Sequence, residues 1–192
     1  MDESIVAVSK CADYKEPNLN RALDLIFDQL GSIENFVKQG DMVVIKPNML
    51  LGKKPEQVVT TNPKLIKQVI KRLQKIGCKI IIGDSPGGPF NEVRLKNIYK
   101  KVGFYELGEL ENVELNYNTE STKVSFEDGL LVKSFEIADF IKEADVIINM
   151  SKLKTHSFMK YTGSVKNLFG TIPGMIKAEY HLRMPEANNF AL

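Results

Sequence analysis

Residues 42–82 read MVVIKPNMLLGKKPEQVVTTNPKLIKQVIKRLQKIGCKIII, and this stretch decides the fold. Met42-Val43-Val44-Ile45 is an unbroken apolar run that ends in Lys46-Pro47-Asn48. A strand reads this way when both of its faces are covered, as in a parallel sheet between helices. Asn62 then offers a helix cap and Pro63 stands at the first helical position, where a missing N–H costs nothing. Leu65, Ile66, Val69, Ile70, Leu73 and Ile76 recur at helical spacing, with Lys and Arg between them, and Gly77 stops the helix. Cys78 to Ile82 is a second apolar run. Strand, helix, strand in this order is the unit of a parallel sheet.

The pattern extends in both directions. Upstream, Leu19, Ala22, Leu23, Ile26, Phe27 and Leu30 mark one face of a helix, and Ser32 to Val37 adds a further helical turn. Ile5 to Val8 is read as a short first strand. Downstream, Val93, Ile98 and Val102 predict a helix that stops at Gly103. Asp145-Val146-Ile147-Ile148-Asn149 is a third buried strand, preceded by a helix around Ala138–Lys142. Between them, residues 112–133 suggest a β-hairpin insertion, with strands near Val113–Leu115, Val124–Phe126 and Leu130–Val132 and a turn at Asp128-Gly129. A helical stretch is expected near Ser164–Phe169. The expected architecture is a single α/β domain over 1–192, a doubly wound, mostly parallel sheet flanked by helices with a small hairpin insertion.

Composition narrows the function classes. The 192 residues include two Cys, two His and no Trp. Two thiols cannot supply a four-cysteine cluster, a Cys-only zinc site or a disulfide scaffold. No apolar run approaches the roughly 20 residues that cross a bilayer, and the N-terminus lacks a basic-then-apolar leader, so a cytoplasmic address is expected. Charge is unevenly spread. Residues 151–184 hold six basic side chains and one acid, a balance of +5, whereas the remaining 20 basic and 23 acidic residues give −3. Both histidines, His156 and His181, fall in that basic segment. One basic segment on a slightly acidic body suits a small anion better than nucleic acid, and membrane partners are not expected.

Ligands of parallel α/β sheets bind beyond the carboxyl ends of the strands. Three polar loops leave those ends, and they carry the candidate residues. Lys46 is a cation stiffly placed before a proline, with Asn48 next to it. Gly83-Asp84-Ser85-Pro86-Gly87-Gly88 offers Ser85 and the Gly87 backbone to an anion, with Asp84 as a base or metal ligand. This loop lacks the Lys-Ser/Thr ending of a P-loop and the spacing of a dinucleotide fingerprint. In Lys152-Leu153-Lys154-Thr155-His156, an extended backbone would put Lys152, Lys154 and His156 on one face, and two nearby cations would favour neutral imidazole. Lys166 and Asn167 follow Gly163-Ser164, an expected helix start suited to an oxyanion. Lys177 and His181 would share a helical face, and His181 could join His156 at a metal, although two His and one Asp are a thin ligand set. Catalytic roles thus fall to His156 and Asp84. Substrate binding falls to Lys46, Asn48, Ser85, Gly87, Lys152, Lys154, Thr155, Lys166, Asn167 and His181.

In order along the chain, Val44–Asn48, Thr60–Pro63, Ile82–Gly87, Ala144–Asn149, Lys152–His156 and Gly163–Gly170 resemble domain-of-unknown-function family 362, over about residues 42–181. The resemblance implies a cytoplasmic prokaryotic protein of a kind often described as iron–sulfur cluster-binding. It also implies a ferredoxin-like module with four-cysteine motifs, carrying [4Fe–4S], as companion or partner. This chain departs from that pattern by having no such motif, so a cluster would belong to a C-terminal module or a partner. It also ends soon after Tyr180-His181, where relatives continue, and is expected to be part of a longer protein. The functional expectation is a redox-associated domain that binds a small anionic substrate or cofactor at the strand ends. The alternative is a non-catalytic electron-transfer or assembly module that docks an iron–sulfur partner.

Overall fold

The computed structural model describes residues 4–191. Four parallel strands form the main sheet: β1 (Met42–Pro47), β2 (Lys79–Ile82), β3 (Val113–Leu115) and β6 (Val146–Met150), in the order β3-β2-β1-β6. The chain steps outward from β1 through β2 to β3, then returns to the other side of β1 as β6. The order therefore reverses between β1 and β6, and a crevice at such a switch point is where α/β sheets hold ligands.

Three helices close one face of the sheet: α1 (Glu16–Gln29), α2 (Pro63–Ile76) and α3 (Glu92–Val102). Their buried residues, among them Leu23, Ile70, Leu73, Leu95 and Tyr99, join Val43, Ile45, Ile80 and Ile82 in one core. Side chains alternate along a strand, so Val44 and Ile81 face the other way, onto Phe140 and Ile141 of the short helix α4 (Asp139–Lys142). The sheet is thus flanked on both faces, far more heavily on one. Local chemistry sets α2 as expected: the Asn62 side chain accepts the Lys64 N–H, and Gly77 ends the helix in the left-handed conformation at φ +87°.

Two details differ from the sequence reading. Ile5 to Val8 is not a strand, and Ile5 is 71% exposed. A short apolar run becomes a strand only where a sheet edge accepts it, and no such pairing occurs among the described residues. The 112–133 hairpin is also displaced. β3 joins the main sheet beside β2, and the antiparallel hairpin is β4 (Ser121–Ser125) with β5 (Ser134–Ala138), Val124 opposite Phe135. Leu130 to Val132 lie in the loop between them. The period-two pattern Ser134-Phe135-Glu136-Ile137 forms the strand, in preference to the consecutive run Leu130-Leu131-Val132.

Beyond β6 the basic segment is more ordered than expected. It forms a second hairpin, β7 (Lys154–His156) with β8 (Lys160–Thr162), then α5 (Ser164–Leu168), α6 (Ile176–Arg183) and α7 (Ala187–Ala191). No helix among the described residues is long and apolar enough to cross a membrane.

Candidate functional site

The carboxyl ends of β1 and β2 meet in a buried ion pair. Lys46 Nζ donates to Asp84 Oδ1 at 2.7 Å, and the Met49 N–H donates to Asp84 Oδ2 at 3.0 Å. Both side chains are buried. With each carboxylate oxygen engaged, Asp84 compensates Lys46 and fixes the loop after β1. It also borders the cleft described below. Gly170 sits against this pair, where a Cβ would overlap the carboxylate and lie 2.5 Å from Lys46 Nζ. Only glycine lets the backbone pass there, and the Gly170 carbonyl accepts the Ser85 N–H at 3.1 Å.

An amide network ties the pair to β6. Asn48 donates through Nδ2 to Asn167 Oδ1 at 3.1 Å, and Asn167 Nδ2 donates to Asn149 Oδ1 at 2.7 Å. The Asn48 N–H donates to Thr61 Oγ1, whose hydroxyl donates to the Met150 carbonyl. Asn48 and Asn167 are buried with both ends of each amide engaged, so they lock the switch-point crevice in one geometry.

Above this floor opens a cleft of about 330 Å³, lined by Ser85, Gly87, Gly88, Lys154, His156, Thr162, Lys166, Lys177 and His181. Lys154 and His156 are two apart on β7 and Thr162 lies opposite Lys154 on β8, so one face of the hairpin forms a wall. Lys154 Nζ donates to Asn48 Oδ1 at 2.8 Å. Lys166 Nζ stands 4.4 Å from the centre of the Phe169 ring. Lys177 Nζ donates to the Ser85 carbonyl and, at 3.2 Å, to Ser85 Oγ. Among the described residues none of these three lysines has a carboxylate partner.

Electrostatics follow from that crowding. Burial pulls the Lys154 ammonium below its ordinary range, Lys152 adds to the effect, and Asp84 opposes it. Burial lowers Lys166 too, helped by Lys46 and Lys154. Lys177 is pushed down to about 8, first by burial and then by Lys46 and Lys166 against the pull of Asp84. An anion held between Lys154 and Lys166 would draw both ammonium groups back toward the ordinary range.

His156 accepts two backbone N–H groups at Nδ1, from Phe158 and Met159, both at 3.2 Å. Its proton therefore resides on Nε2, which makes the neutral ring a donor toward the cleft. Burial, Lys166 and Lys154 all lower its pKa, in that order, and keep it neutral. His181 is lowered by burial and then by Lys166 and His156, and stacks on Phe190 at 4.4 Å.

The structure thus brings Lys46, Asn48, Asp84, Ser85, Gly87, Lys154, His156, Lys166, Asn167 and His181 to one place. Lys152 and Thr155 are not in the cleft wall. Lys152 Nζ donates to Tyr14 Oη at 3.2 Å, and Thr155 points to solvent from the opposite face of β7. Sequence reasoning passed over Lys177 as a binding group, and also Thr162 and Asn149. The signal for Lys177 is the pair Gly170 and Gly174: a Cβ on Gly174 would overlap the Gly88 carbonyl, so both glycines press this segment onto the Ser85 loop. No group of three or more His, Cys, Asp and Glu side chains able to hold a metal occurs among the described residues. The two thiols do not fit an iron–sulfur cluster: Cys11 is exposed, whereas Cys78 is buried in the helix-covered core.

The family model for the domain of unknown function DUF362 matches residues 43–191. A thylakoid-associated protein of Synechocystis sp. is 33% identical over 96% of this chain and 56% of its own length. The chain therefore spans little more than half of that curated relative.

Proposed function

The chain belongs to the DUF362 family, and on that premise we propose that it binds a small polyanion, substrate or cofactor, in the cleft at the carboxyl ends of β1, β2 and β6. One observation carries this reading: Lys154, Lys166 and Lys177 converge on a single cleft without a carboxylate to neutralise any of them. Holding three half-buried ammonium groups together with no paired carboxylate is unfavourable, and a bound anion offsets that cost. The N–H groups of Gly87 and Gly88 make no hydrogen bond to other described residues and add donors, as does His156 Nε2. A volume of about 330 Å³ suits a diphosphate or a tricarboxylate. In this reading Asp84 and Asn48 position cations, and His156 supplies a neutral hydrogen bond. A redox-associated role and a cytoplasmic address belong to the same proposal; the relative's thylakoid association makes a membrane surface a further compartment to check by fractionation.

Calorimetry with pyrophosphate and with citrate tests it. Binding that weakens about tenfold in Lys154→Ala supports the reading. No heat with either anion, or binding indifferent to Lys154, overturns it.

A second reading is favoured by a different observation. An apolar groove of about 960 Å³, lined by Phe135, Tyr161, Val165 and Leu168 among others, adjoins the lysines, and Val165 is 87% exposed. Basic and apolar surface side by side suits docking of an acidic iron–sulfur partner or module. That reading requires association with an acidic ferredoxin to fall steeply with salt and to be indifferent to His156.

A further inference from the structure

We propose that Ser85 and Lys177 form a nucleophile–base pair for acyl transfer, acting on an ester or thioester that carries an anionic group. The anionic nature of this substrate rests on the cleft reading above; the pair itself rests on separate geometry. Ser85 lies in the turn that leaves β2 and enters α3, a strand-to-helix position, and it lines the cleft although its residue is buried. Lys177 reaches it from α6 across 92 residues, with Nζ at 3.2 Å from Oγ. That separation is within the reach required of a nucleophile and its base. Unprotonated Lys177 can keep one N–H on the Ser85 carbonyl while its lone pair accepts the Ser85 Oγ–H.

The surroundings complete the set. Gly87 and Gly88, two and three residues beyond Ser85, present backbone N–H groups that no other described residue takes, and both line the cleft. Such amides stabilise the oxyanion of a tetrahedral intermediate. The groups facing Lys177 are Asp84 from the loop after β2, Lys46 from β1 and Lys166 from α5, and the balance with burial brings it to about 8. Roughly a tenth of the amine is then free at pH 7, against well under a thousandth for an ordinary lysine.

The step balances without a co-reactant other than water. Ser85 Oγ forms a bond to the acyl carbon as its proton passes to Lys177 Nζ. The tetrahedral intermediate collapses with loss of the alkoxide or thiolate, which takes the proton from Lys177. Water then attacks the acyl-serine with the same base, releasing the acid and restoring both groups. Lys154 and Lys166 hold the anionic end of the substrate.

The test uses the full chain with a fluorophosphonate probe, which phosphonylates activated serines. One adduct located at Ser85 by peptide mapping is expected, forming faster as pH rises through about 8. Ser85→Ala abolishes it. Lys177→Arg, which keeps the charge but cannot act as base, slows it by about 100-fold or more. No adduct, an adduct elsewhere, or a wild-type rate in Lys177→Arg overturns the proposal, and the pH profile of the unaltered protein needs no variant to fold. Pyrophosphate calorimetry on the same sample separates the two readings. Binding without labelling sinks the pair and spares the anion site; labelling without binding does the reverse.

Discussion

Lys46 and Lys177 both lie near Asp84 at the strand ends, yet their surroundings differ in kind. Lys46 is sealed under the loops, with the Asp84 carboxylate at 2.7 Å. Lys177 reaches a serine and a carbonyl, and no acid among the described residues pairs with it. The first is a fixed charge whose partner came with the fold. The second is a charge left for something else to satisfy. The comparison separates residues that build the site from those available to a ligand, and each prediction tries to collapse that distinction.

The largest effect belongs to the sealed pair. Asp84→Asn leaves Lys46 charged and uncompensated, and a broken buried pair costs about 3–5 kcal/mol. Urea titration should register that loss as a lower midpoint at unchanged slope. Lys46→Met should fall in the same range, whereas the double variant Lys46→Met with Asp84→Asn should recover part of it, because no charge is then stranded. A loss below about 1 kcal/mol in Asp84→Asn would mean that the pair is solvated and the contrast with Lys177 is false.

The middle effect comes from Lys177, and it has opposite signs in two measurements. Its folded pKa of about 8 lies below the ordinary lysine value of 10.5. Folding therefore disfavours its protonated form, and the unfolded chain binds more protons between those pH values. Stability relative to Lys177→Met should then rise as pH climbs from about 8 toward 10.5. Pyrophosphate affinity should fall over the same rise, because the anion prefers the ammonium. Lys177→Met should flatten both curves, keep or slightly raise stability at pH 7, and weaken pyrophosphate about tenfold. A large loss of stability in this variant would place Lys177 with Lys46 among the structural charges.

The same contrast explains what could be read in the sequence. Lys46, Asp84, Lys154 and His156 were legible because they follow strands whose unbroken apolar runs announce burial on both faces. Period-two alternation correctly paired Lys154 with His156. It failed for Lys152, because β7 begins only at Lys154 and Lys152 lies outside the paired strand. The hairpin differs for a related reason: residues 130–132 carry a strand signal by apolar content alone, whereas 134–137 carry it by alternation, and the alternating segment pairs. Lys177 was illegible as a partner of Ser85, since nothing local in either segment records a contact spanning 92 residues. Only the close packing allowed by Gly170 and Gly174 brings them together.

The smallest effect concerns His156 and sharpens what the cleft can do. Two backbone N–H groups on Nδ1 leave the proton on Nε2, so the neutral ring can donate to a ligand but has no lone pair there to act as a base. Long-range proton–nitrogen correlation on the isotope-labelled protein at pH 7.5 should show one protonated Nε2 and one bare Nδ1 for this residue. Adding pyrophosphate should raise the ring's pKa by offsetting Lys166 and Lys154, which now help hold it down. The Nε2–H signal should shift while the tautomer stays the same. A ring protonated at Nδ1 instead would restore His156 as a base, and the division between positioning groups and reacting groups would have to be redrawn around it.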